Sequence, residues 1–356
     1  YLRPKVLVDN LRFASGDLYD ERNVQKTYTY FGRLSALKYT NIRFFETQNG
    51  DSTQLNCYVM LTKSKHKSIS FELEGTNSAG DLGAAASVSF QHRNLFRGSE
   101  TFMVKFRGAY EAISGLQPGY KNHNYTEYGV ETSINFPNFL FPFLTSDFKR
   151  RIKATTEFGL QYNYQLRPEF SRTIASASWS YKWMQKQKIQ HRIDLLDMSY
   201  LYLPWISSQF QEDYINKDKD NYILKYNYEN RLIVRMGYNY SYNSAGGALV
   251  NNTITTNSYS IRAGFESAGN ILYGISKMIN MRKNKDGEYA ILGIPYAQYL
   301  KGDFDFAKNI IIDHRNSLAF HAGIGIAVPY GNAKVVPFEK RYFSGGANSV
   351  RGWSVR

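Results

Sequence analysis

Hydropathy that alternates from one residue to the next is the feature that most restricts what this chain can fold into. Successive side chains of a β-strand point to opposite faces, so alternation predicts strands with one apolar and one polar face. The clearest stretch, residues 151–164, alternates over fourteen residues. Strands of soluble domains usually have about five or six residues. At ~3.3 Å per residue this stretch would extend ~46 Å, which suits a tilted strand that crosses a bilayer and continues beyond it.

The same alternation recurs from residue 68 almost to the end of the chain. It predicts about eleven strands, at residues 68–77, 83–90, 101–107, 128–136, 151–164, 173–183, 189–202, 232–242, 259–265, 299–306 and 317–327. The phase of 189–202 is ambiguous. Residues 222–228 also alternate, either as a separate strand or as part of the next one.

Composition is compatible with a transmembrane barrel and with a soluble β-sandwich. The chain has 29 Tyr and 23 Phe, yet its mean hydropathy is −0.46 and the sequence has no run of 18 apolar residues. Such averaging is expected when half of each strand faces lipid and half faces a polar lumen. Aromatic triplets on two strands resemble the girdle of a membrane barrel, namely Trp179, Tyr181 and Trp183, and Tyr238, Tyr240 and Tyr242.

Charge and cysteine content exclude little by themselves. The formal net charge is +14, but the 44 Lys and Arg residues are scattered and no nucleic-acid-binding motif accompanies them. We therefore expect no nucleic-acid partner, and an anionic lipid surface suits the charge equally well.

The single cysteine, Cys57, excludes a disulfide framework, and we expect it to pack in a core. No spacing typical of a metal site occurs.

Residues 1–64 have a different pattern, which predicts a small α+β region. We predict a strand at 6–8, a helix that begins near Asp20, a second helical piece at 34–38, and strands at 39–46 and 53–62. Asn49-Gly50 is a strong hairpin turn signal between the two strands. The order strand, helix, helix, strand, strand resembles a POTRA domain, a periplasmic module of outer-membrane assembly proteins.

Three motifs resemble the BamA/TamA-like outer-membrane β-barrel assembly family, which combines POTRA domains with a surface-antigen-type barrel. The first is Gly80-Asp81-Leu82-Gly83 with residues 93–100 (RNLFRGSE), where the family has an Asn-Leu-Phe-Gly-Arg-Gly-like turn. The second is Pro329-Tyr330-Gly331. The third is Gly345-Gly346 followed by Val350-Arg351-Gly352-Trp353, similar to the family's Val-Arg-Gly-Phe/Tyr signature with Trp in the last place. One adjoining POTRA-like region is most similar to the TamA-like branch.

The resemblance implies a mainly β fold, a transmembrane antiparallel barrel of which about eleven of about sixteen strands are present, with closure by strands beyond Arg356. Residues 1–64 would be a POTRA-like periplasmic domain. Residues 65–356 would be the N-terminal part of the barrel and end in the sixth extracellular loop. That loop enters the lumen in the family, and its arginine, here Arg351, pairs with acidic residues on later strands. The implied location is the outer membrane of a Gram-negative bacterium.

The candidate functional residues follow from the same resemblance. In the lumen they are the loop motif (Val350, Arg351, Gly352, Trp353, Gly345, Gly346) and four carboxylates on the polar phase (Glu131, Glu157, Asp303, Asp305). The first barrel strand would pair weakly with the last and open as a lateral seam, so its residues are candidates too, namely Ser68, Ile69, Ser70, Phe71, Glu72, Leu73 and Glu74.

The expected function is an outer-membrane assembly factor that inserts or folds β-barrel proteins, or assists their translocation, without nucleotide or cofactor. The expected partners are unfolded outer-membrane client proteins, outer-membrane lipid, and accessory periplasmic or lipoprotein subunits. A protein export channel of the two-partner-secretion type is the alternative, and a passive porin a weaker one. An enzyme is not expected, because no nucleophile-elbow or metal-ligand spacing occurs. Its best residues would be His191 with Asp194 or Asp197, or His321 with Ser317, but the last two are four positions apart on one strand face and too far apart for direct contact.

Overall fold

A computed structural model describes residues 2–49, 52–78, 81–113, 124–216, 222–246, 257–284, 287–313 and 315–344. The protein is mainly β, as the alternation predicted. The strands are β1 (Leu37–Asn49), β2 (Ser52–Lys63), β3 (Lys67–Ser78), β4 (Asp81–Arg93), β5 (Thr101–Ala112), β6 (Asn124–Phe136), β7 (Thr155–Leu166), β8 (Phe170–Gln185), β9 (Ile189–Ile206), β10 (Arg231–Asn243), β11 (Ser258–Ala268), β12 (Ala290–Ile291), β13 (Ile294–Pro295), β14 (Tyr299–Ile311) and β15 (Ser317–Pro329).

Among the described residues, helices lie before the first strand and between strands, and one 3-10 turn follows the last strand. They are α1 (Pro4–Asn10), α2 (Glu21–Phe31), α3 (Ser146–Ile152), α4 (Ser208–Phe210), which continues into a π-helix (Gln211–Asn216), α5 (Tyr222–Asn227), α6 (Asn270–Met278) and a 3-10 turn (Phe338–Lys340). In this part of the chain, no helix is both long and apolar enough to cross a membrane.

Eleven strands form one antiparallel sheet in which each strand pairs with the next of the set, in the order β3 to β11, then β14 and β15. The predicted number of strands is therefore confirmed. Within the described residues β3 and β15 are the two edges of the sheet and do not pair with each other. The sheet of this chain is thus an open, up-and-down one.

The pairing register divides the sheet into a polar face and an apolar face. Glu72 of β3 lies beside Ser87 of β4, which lies beside Arg107 of β5, and the same alternation continues across the sheet. The opposite face exposes large apolar side chains on nearly every strand, among them Phe71, Phe106, Leu160, Phe265, Phe304 and Ile324. An apolar face of this extent is expected on the lipid side of a membrane barrel.

The connections also differ between the two ends of the sheet. We call the end that holds the connections β4–β5, β6–β7 and β8–β9 the proximal end, because α1 and α2 contact it. The opposite, distal end holds the long connections 207–230 and 269–298 and the chain after β15. The strand order thus places both long connections on one side of the sheet.

The N-terminal region packs two helices on the β1–β2 hairpin. The side chain of Asp20 caps α2 by accepting a hydrogen bond from the Arg22 amide at 2.9 Å, as the acidic start of this helix predicted. A small core joins the two helices to the hairpin and contains Val6, Phe31, Leu34, Leu37, Val59 and Leu61.

Three predictions for this region were wrong. Val6 to Val8 belong to α1 rather than to a strand, since three apolar residues do not distinguish the two periods. Residues 34–36 form a turn, and β1 begins at Leu37. Cys57, expected in the core, is exposed. The described residues thus show two strands here and not the three of the predicted POTRA order, so the POTRA assignment stays a prediction.

The second part of the first motif, residues 93–100, forms the β4–β5 turn that contacts this N-terminal region. The Glu100 carboxylate accepts hydrogen bonds from the amides of Phe96 and Gly98 at 3.0 and 2.9 Å. The fixed turn presents Ser99 Oγ, which accepts a hydrogen bond from the Ala36 amide at 3.0 Å. The motif therefore sets the docking of the N-terminal region on the proximal end.

Two predicted strand boundaries in the sheet were also wrong. Arg151 and Ile152 end α3, and the strand begins at Thr155, so the longest alternation includes part of a helix. Residues 222–227 form α5 and not a strand. A segment of six or seven residues is too short for its periodicity to separate a helix from a strand.

Strand β9, whose phase was ambiguous, contains a β-bulge. Ser180 of β8 pairs with Asp194, but the preceding Trp179 pairs with Leu196, so Leu195 is the extra residue. The bulge places Asp194 and Asp197, three positions apart, on the same polar face. Without the bulge, the alternation would direct these two carboxylates to opposite faces.

Candidate functional site

The candidate site lies on the polar face, where the chain after β15 turns back onto the sheet. We call residues 331–344 the return segment. It begins at Gly331, whose φ of +62° is in the left-handed region and whose missing side chain leaves room for the Gln298 side chain. The Pro-Tyr-Gly motif of the sequence is therefore the corner at which the chain reverses.

Asn332 fixes the start of the return segment to the distal hairpin β12–β13. Its side-chain amide donates to the carbonyls of Tyr289 and Tyr296, both at 3.0 Å, and its oxygen accepts from the Tyr289 amide at 2.5 Å. The Asn332 amide itself donates to Gln298 Oε1 at 2.8 Å. A buried asparagine with all these partners satisfied holds its loop in one arrangement.

Val336 then anchors the segment to the sheet through apolar contact. It packs in a buried cluster with residues that β9, β10, β11, β14 and the chain just before β14 contribute, namely Leu201, Ile233, Ala268, Ala297 and Tyr299. Burial of a valine side chain stabilises by roughly 1.5 kcal/mol or more. The otherwise polar face of the sheet thus carries an apolar patch near its distal end, and Val336 packs on it.

The 3-10 turn that follows bridges two separated strands. Glu339 forms an ion pair with Arg172 of β8 at 3.0 Å, and Lys340 lies 3.7 Å from the Glu266 carboxylate of β11. Strands β9 and β10 lie between β8 and β11 in the sheet. Because adjacent residues reach both strands, the polar face must curve around the return segment.

Glu266 belongs to a charge cluster centred on Arg235 of β10. The Arg235 guanidinium contacts Glu266 at 2.9 Å and Asp194 at 3.7 Å, and it donates a hydrogen bond to Asp197. Tyr299 also donates its hydroxyl hydrogen to Glu266. These four charged side chains are at most one-fifth exposed, so their mutual pairing offsets the cost of removing them from water.

Tyr342 contacts the last two strands of the sheet. Its hydroxyl donates to Asp303 and lies 3.2 Å from the Gly302 carbonyl, and the Lys301 ammonium lies 4.3 Å from the centre of its ring. Gly325 of β15 faces the same ring so closely that any side chain there would overlap it. The glycine on this polar-face position therefore makes room for Tyr342.

Burial changes the acid-base properties of the return segment. Desolvation lowers the pKa of Lys340, although the Glu266 carboxylate beside it acts in the opposite direction. Desolvation likewise lowers the pKa of Arg341. The pKa of Tyr342 is raised, first by desolvation and then by its hydrogen bond to Asp303. All three shifts reflect a segment that is partly withdrawn from water.

The predicted lumen carboxylates all lie on the polar face, but at different places. Asp303 contacts the return segment through Tyr342. Asp305 lies next to it and contacts His321 of β15 at 3.0 Å. Glu157 pairs with Lys182 of β8. Glu131 stands in register between Lys105 of β5 and Gln161 of β7. The structure thus brings Asp303 to the candidate site and leaves Glu131 and Glu157 elsewhere.

Sequence reasoning missed the strongest part of the site. Arg235, Asp194 and Asp197 were not assigned a functional role, because the bulge in β9 hides their common face. Glu266 alternates with the apolar residues of β11, but the sequence pattern indicates no partner for it. Three charged residues of the segment 337–341, Glu339, Lys340 and Arg341, could have indicated a polar binding surface opposite them.

The predicted seam strand is β3, at the edge of the sheet. Its odd-numbered residues Ile69, Phe71 and Leu73 point to the apolar face and are exposed. The polar side chain of Glu72 pairs with Lys105 at 2.9 Å, and that of Glu74 pairs with Arg107 at 3.1 Å. Ser68 and Ser70 complete the polar side, beside Gln91 and Ser89 of β4.

The loop motif itself lies outside the described residues. Gly345, Gly346, Val350, Arg351, Gly352 and Trp353 follow directly after Ser344, where the described part of the return segment ends. Their predicted role in the lumen stays a prediction.

The enzyme alternatives lack the required geometry. His191 points to the apolar face, where its Nδ1 lies 2.8 Å from the Tyr238 hydroxyl, while Asp194 and Asp197 point to the polar face. His321 contacts Asp305 of the neighbouring strand. Over the described ranges, no group of three or more potential metal-ligating His, Cys, Asp or Glu side chains occurs.

The fold and the site together define the class of protein. An eleven-stranded up-and-down sheet, apolar on one face and polar on the other, with a loop returned onto the polar face, is the wall of a transmembrane β-barrel. A family model described as the Omp85 superfamily domain matches residues 25–356. The chain belongs to the Omp85 superfamily.

A solved structure shows the same fold. The chain is similar to the crystal structure of BamA from Haemophilus ducreyi lacking POTRA domains 1–3, with a TM-score of 0.60 at 14% sequence identity. The match covers 99% of this chain and 58% of that one, so this chain spans just over half the length of that BamA chain. A sequence comparison with curated proteins gives no match. The family predicted from the motifs is confirmed, and the TamA-like branch stays a prediction.

Proposed function

We propose that this chain is the wall of an outer-membrane barrel that assists the insertion or translocation of other proteins, without nucleotide. One observation supports this proposal most directly. Strand β3 is twelve residues long and pairs with β4 alone among the described residues. A strand edge in lipid leaves backbone N–H and C=O groups unpaired, which costs several kcal/mol each, about as much as any buried unpaired group.

Such an edge is stabilised when another strand pairs with it. Sheet edges bind extended segments by β-augmentation, where main-chain hydrogen bonds give affinity without demanding a particular sequence. β3 contains no proline and no bulge that would block pairing. We therefore propose that β3 pairs reversibly with a strand of the client protein, and that Glu72 and Glu74 hold its polar side to β5 meanwhile.

Photo-crosslinking tests this role of β3. A photoreactive residue replaces Ser70 in β3 or, as a matched control, Ser178 in β8, which is a central strand with partners on both sides. The protein is reconstituted in phosphatidylcholine vesicles and mixed with a urea-unfolded eight-stranded barrel protein. We expect an adduct from position 70 and none from position 178. Faster client folding without any adduct on β3 would contradict the proposed pairing.

The return segment suggests how the loop motif takes part. Its described residues hold the chain on the polar face as far as Tyr342, which supports a position of the motif near that face. We propose that Arg351 binds a carboxylate there, since a guanidinium in a partly dry site needs such a partner.

Replacing Arg351 with alanine tests the proposal. Loss of a charge-assisted hydrogen bond costs about 1.5–3 kcal/mol, so we expect client assembly to slow roughly tenfold or more in a barrel that still inserts. The measurement is the rate of client folding in the same vesicles, with heat-modifiable gel mobility to show insertion. Unchanged client assembly would exclude the proposed role.

A protein export channel is the second candidate function. The return segment bridges β8 and β11 across the polar face, so it would close a pore there and would open it when released, as a gated channel requires. Planar-bilayer conductance separates the two functions. A large conductance that appears when the segment is released would favour the channel, and a low conductance in both states would favour the assembly factor.

A further inference from the structure

At the proximal end, part of the apolar face is covered by residues of the β6–β7 connection, which strand alternation does not predict. Thr156 of β7 and Tyr181 of β8 lie side by side on this face. Large residues farther along the same face of β7, such as Leu160 and Tyr162, are exposed, yet Thr156 has no exposed surface and Tyr181 is 3% exposed. The covering residues come from the connection between β6 and β7, which runs along the outside of the sheet.

Three hydrogen bonds fix this cover in place. The Leu140 amide donates to Thr156 Oγ1 at 2.9 Å, and the Thr156 hydroxyl donates to the Asn138 carbonyl at 2.8 Å. The Tyr181 hydroxyl donates to the Leu140 carbonyl at 2.9 Å. The rings of Phe139 and Phe141 pack on Tyr181, with centroids 4.7 and 6.2 Å away. We call residues 138–143 the aromatic segment.

The far side of the aromatic segment is apolar and uncovered. Phe143 is 86% exposed, and Leu140 and the nearby Phe148 of α3 are about two-fifths exposed. The segment also continues a row of stacked and tilted rings on the apolar face of neighbouring strands, formed by Phe96, Phe136, Phe158 and Trp179. Aromatic side chains concentrate in this way where a membrane protein meets the bilayer interface.

Basic residues follow the aromatic segment after an interval of five residues. The sequence has Lys149, Arg150, Arg151 and Lys153 within five positions. Arg151 is exposed and Lys149 half-buried at the end of α3, whereas Lys153 binds the end of α1. Apolar rings next to cations match the boundary between acyl chains and anionic headgroups, where both contributions add.

We propose that residues 138–151 form a membrane-interface site that binds an anionic phospholipid in the leaflet at the proximal end. The segment lies on the same face as the lipid-contacting side chains, so lipid is the partner that meets it without any rearrangement. The phenylalanine rings enter the acyl region, and Lys149 and Arg151 contact the phosphate. This site requires only a barrel in a bilayer, so it is independent of the proposed assembly function.

A fluorescent label measures whether the segment enters the bilayer. In a Cys57→Ser background, Phe143→Cys is labelled with the environment-sensitive dye NBD, and Lys188→Cys in the β8–β9 turn of the same end is the control. The full chain is reconstituted in vesicles of phosphatidylcholine with 30% phosphatidylglycerol. We expect blue-shifted emission and quenching by spin-labelled lipid at position 143 and neither at position 188. Water-like emission at 143 would overturn the proposal.

A charge change tests the headgroup. Native mass spectrometry compares how much phosphatidylglycerol the wild type, Lys149→Gln/Arg151→Gln and Lys186→Gln/Lys188→Gln retain. The control pair removes the same charge from the neighbouring proximal turn. Each cation near an anionic surface contributes about fivefold, so we expect roughly 25-fold weaker retention in the first variant, which lacks two cations, and little change in the control. Equal losses in both variants, or none in either, would falsify the site, and gel mobility verifies folding.

Discussion

At the scale of single residues, Glu266 is the side chain on which most contacts of the candidate site converge. It pairs with Arg235 of the neighbouring strand, accepts a hydrogen bond from Tyr299, and lies beside Lys340 of the return segment. One carboxylate thus joins the wall of the barrel to the loop that turns into it. Removing its negative charge would leave Arg235 and Lys340 partly buried without the carboxylate that both contact.

We therefore expect Glu266→Gln to release the return segment. Removing one partner of a buried ion pair costs about 3–5 kcal/mol. Because Glu266 is 15% exposed, we expect a cost near the lower end of this range. Limited trypsin digestion after Lys340 and Arg341 measures the release. Cleavage should be slow in the wild type and fast in the variant.

Glu157→Gln is the matched control for this prediction. It also removes a polar-face carboxylate from an ion pair, that with Lys182, but on β7 and β8 away from the return segment. Trypsin should cut this variant after Lys340 as slowly as the wild type. Equal protection in the Glu266 variant would show that other contacts hold the segment.

The close approach of Gly325 to Tyr342 gives a second prediction at this scale. A methyl group at position 325 would overlap the tyrosine ring, so Gly325→Ala should displace Tyr342 at a cost of about 1–3 kcal/mol. In a Tyr342→Ala background the same substitution should cost nearly nothing. A double-mutant cycle measures this coupling from the free energies of unfolding, determined with urea for the protein in vesicles.

Gly302→Ala serves as the control, because the nearest atom to its new methyl group would be 4.0 Å away. Additive effects of the Gly325 and Tyr342 substitutions would contradict the predicted contact.

At the scale of elements, the short helix α3 and the N-terminal helices are joined by one lysine. Lys153, the residue after α3, donates from Nζ to the Asp9 carbonyl at 3.0 Å and to Asn10 Oδ1 at 3.2 Å, and it lies 4.0 Å from the centre of the Tyr30 ring. Its φ of +49° is left-handed, which directs the side chain away from the following strand β7. The connection β6–β7 therefore contacts both the apolar face of the sheet and the N-terminal region.

We expect Lys153→Asn to loosen α1 while it keeps the backbone, since asparagine tolerates a left-handed conformation. Loss of the ammonium contacts should cost about 1 kcal/mol, or about a fivefold loss of protection. Hydrogen–deuterium exchange of residues 4–10 is the measurement. Lys186→Asn, at another left-handed lysine of the same end with a φ of +52°, should leave exchange in α1 unchanged. Similar exchange in both variants would contradict the role of Lys153.

At the scale of the whole molecule, the N-terminal region and the sheet have separate cores. The first contains Phe31 and Leu34, and the second contains Tyr299 and Val336. Contacts between them are local, at the β4–β5 turn through Ser99 and at α3 through Lys153. Two cores with a polar junction can fold separately.

Deleting residues 1–64 should therefore leave the barrel folded and remove the delivery of clients. Heat-modifiable gel mobility in lipid tests folding, and the rate of client assembly in vesicles tests delivery. Unaltered client assembly by the shortened chain would contradict the predicted role of the N-terminal region. Loss of the folded barrel would show that the junction stabilises the sheet more than its contacts indicate.

The sequence by itself determined the number of strands in the sheet and, where the alternation is unbroken, the face that each residue occupies. Within a strand that has no bulge, a slip of one position would move every apolar side chain to the polar face, so the alternation fixes which residues face which side. The motifs around Glu100, Tyr330 and Arg351 also sufficed to identify the family, because their residue types follow in a fixed order at fixed places among the strands.

Only the tertiary structure decided which polar residues meet. Whether Asp194 and Asp197 share a face depends on the bulge at Leu195, which pairing with β8 and β10 selects and local hydropathy does not. The partners of Lys340 and Tyr342 depend on how the sheet curves, a property of many strands together. Short segments such as 6–8 and 222–227 are helical. Their periodicity is too short to distinguish a helix from a strand, so packing decides between the two.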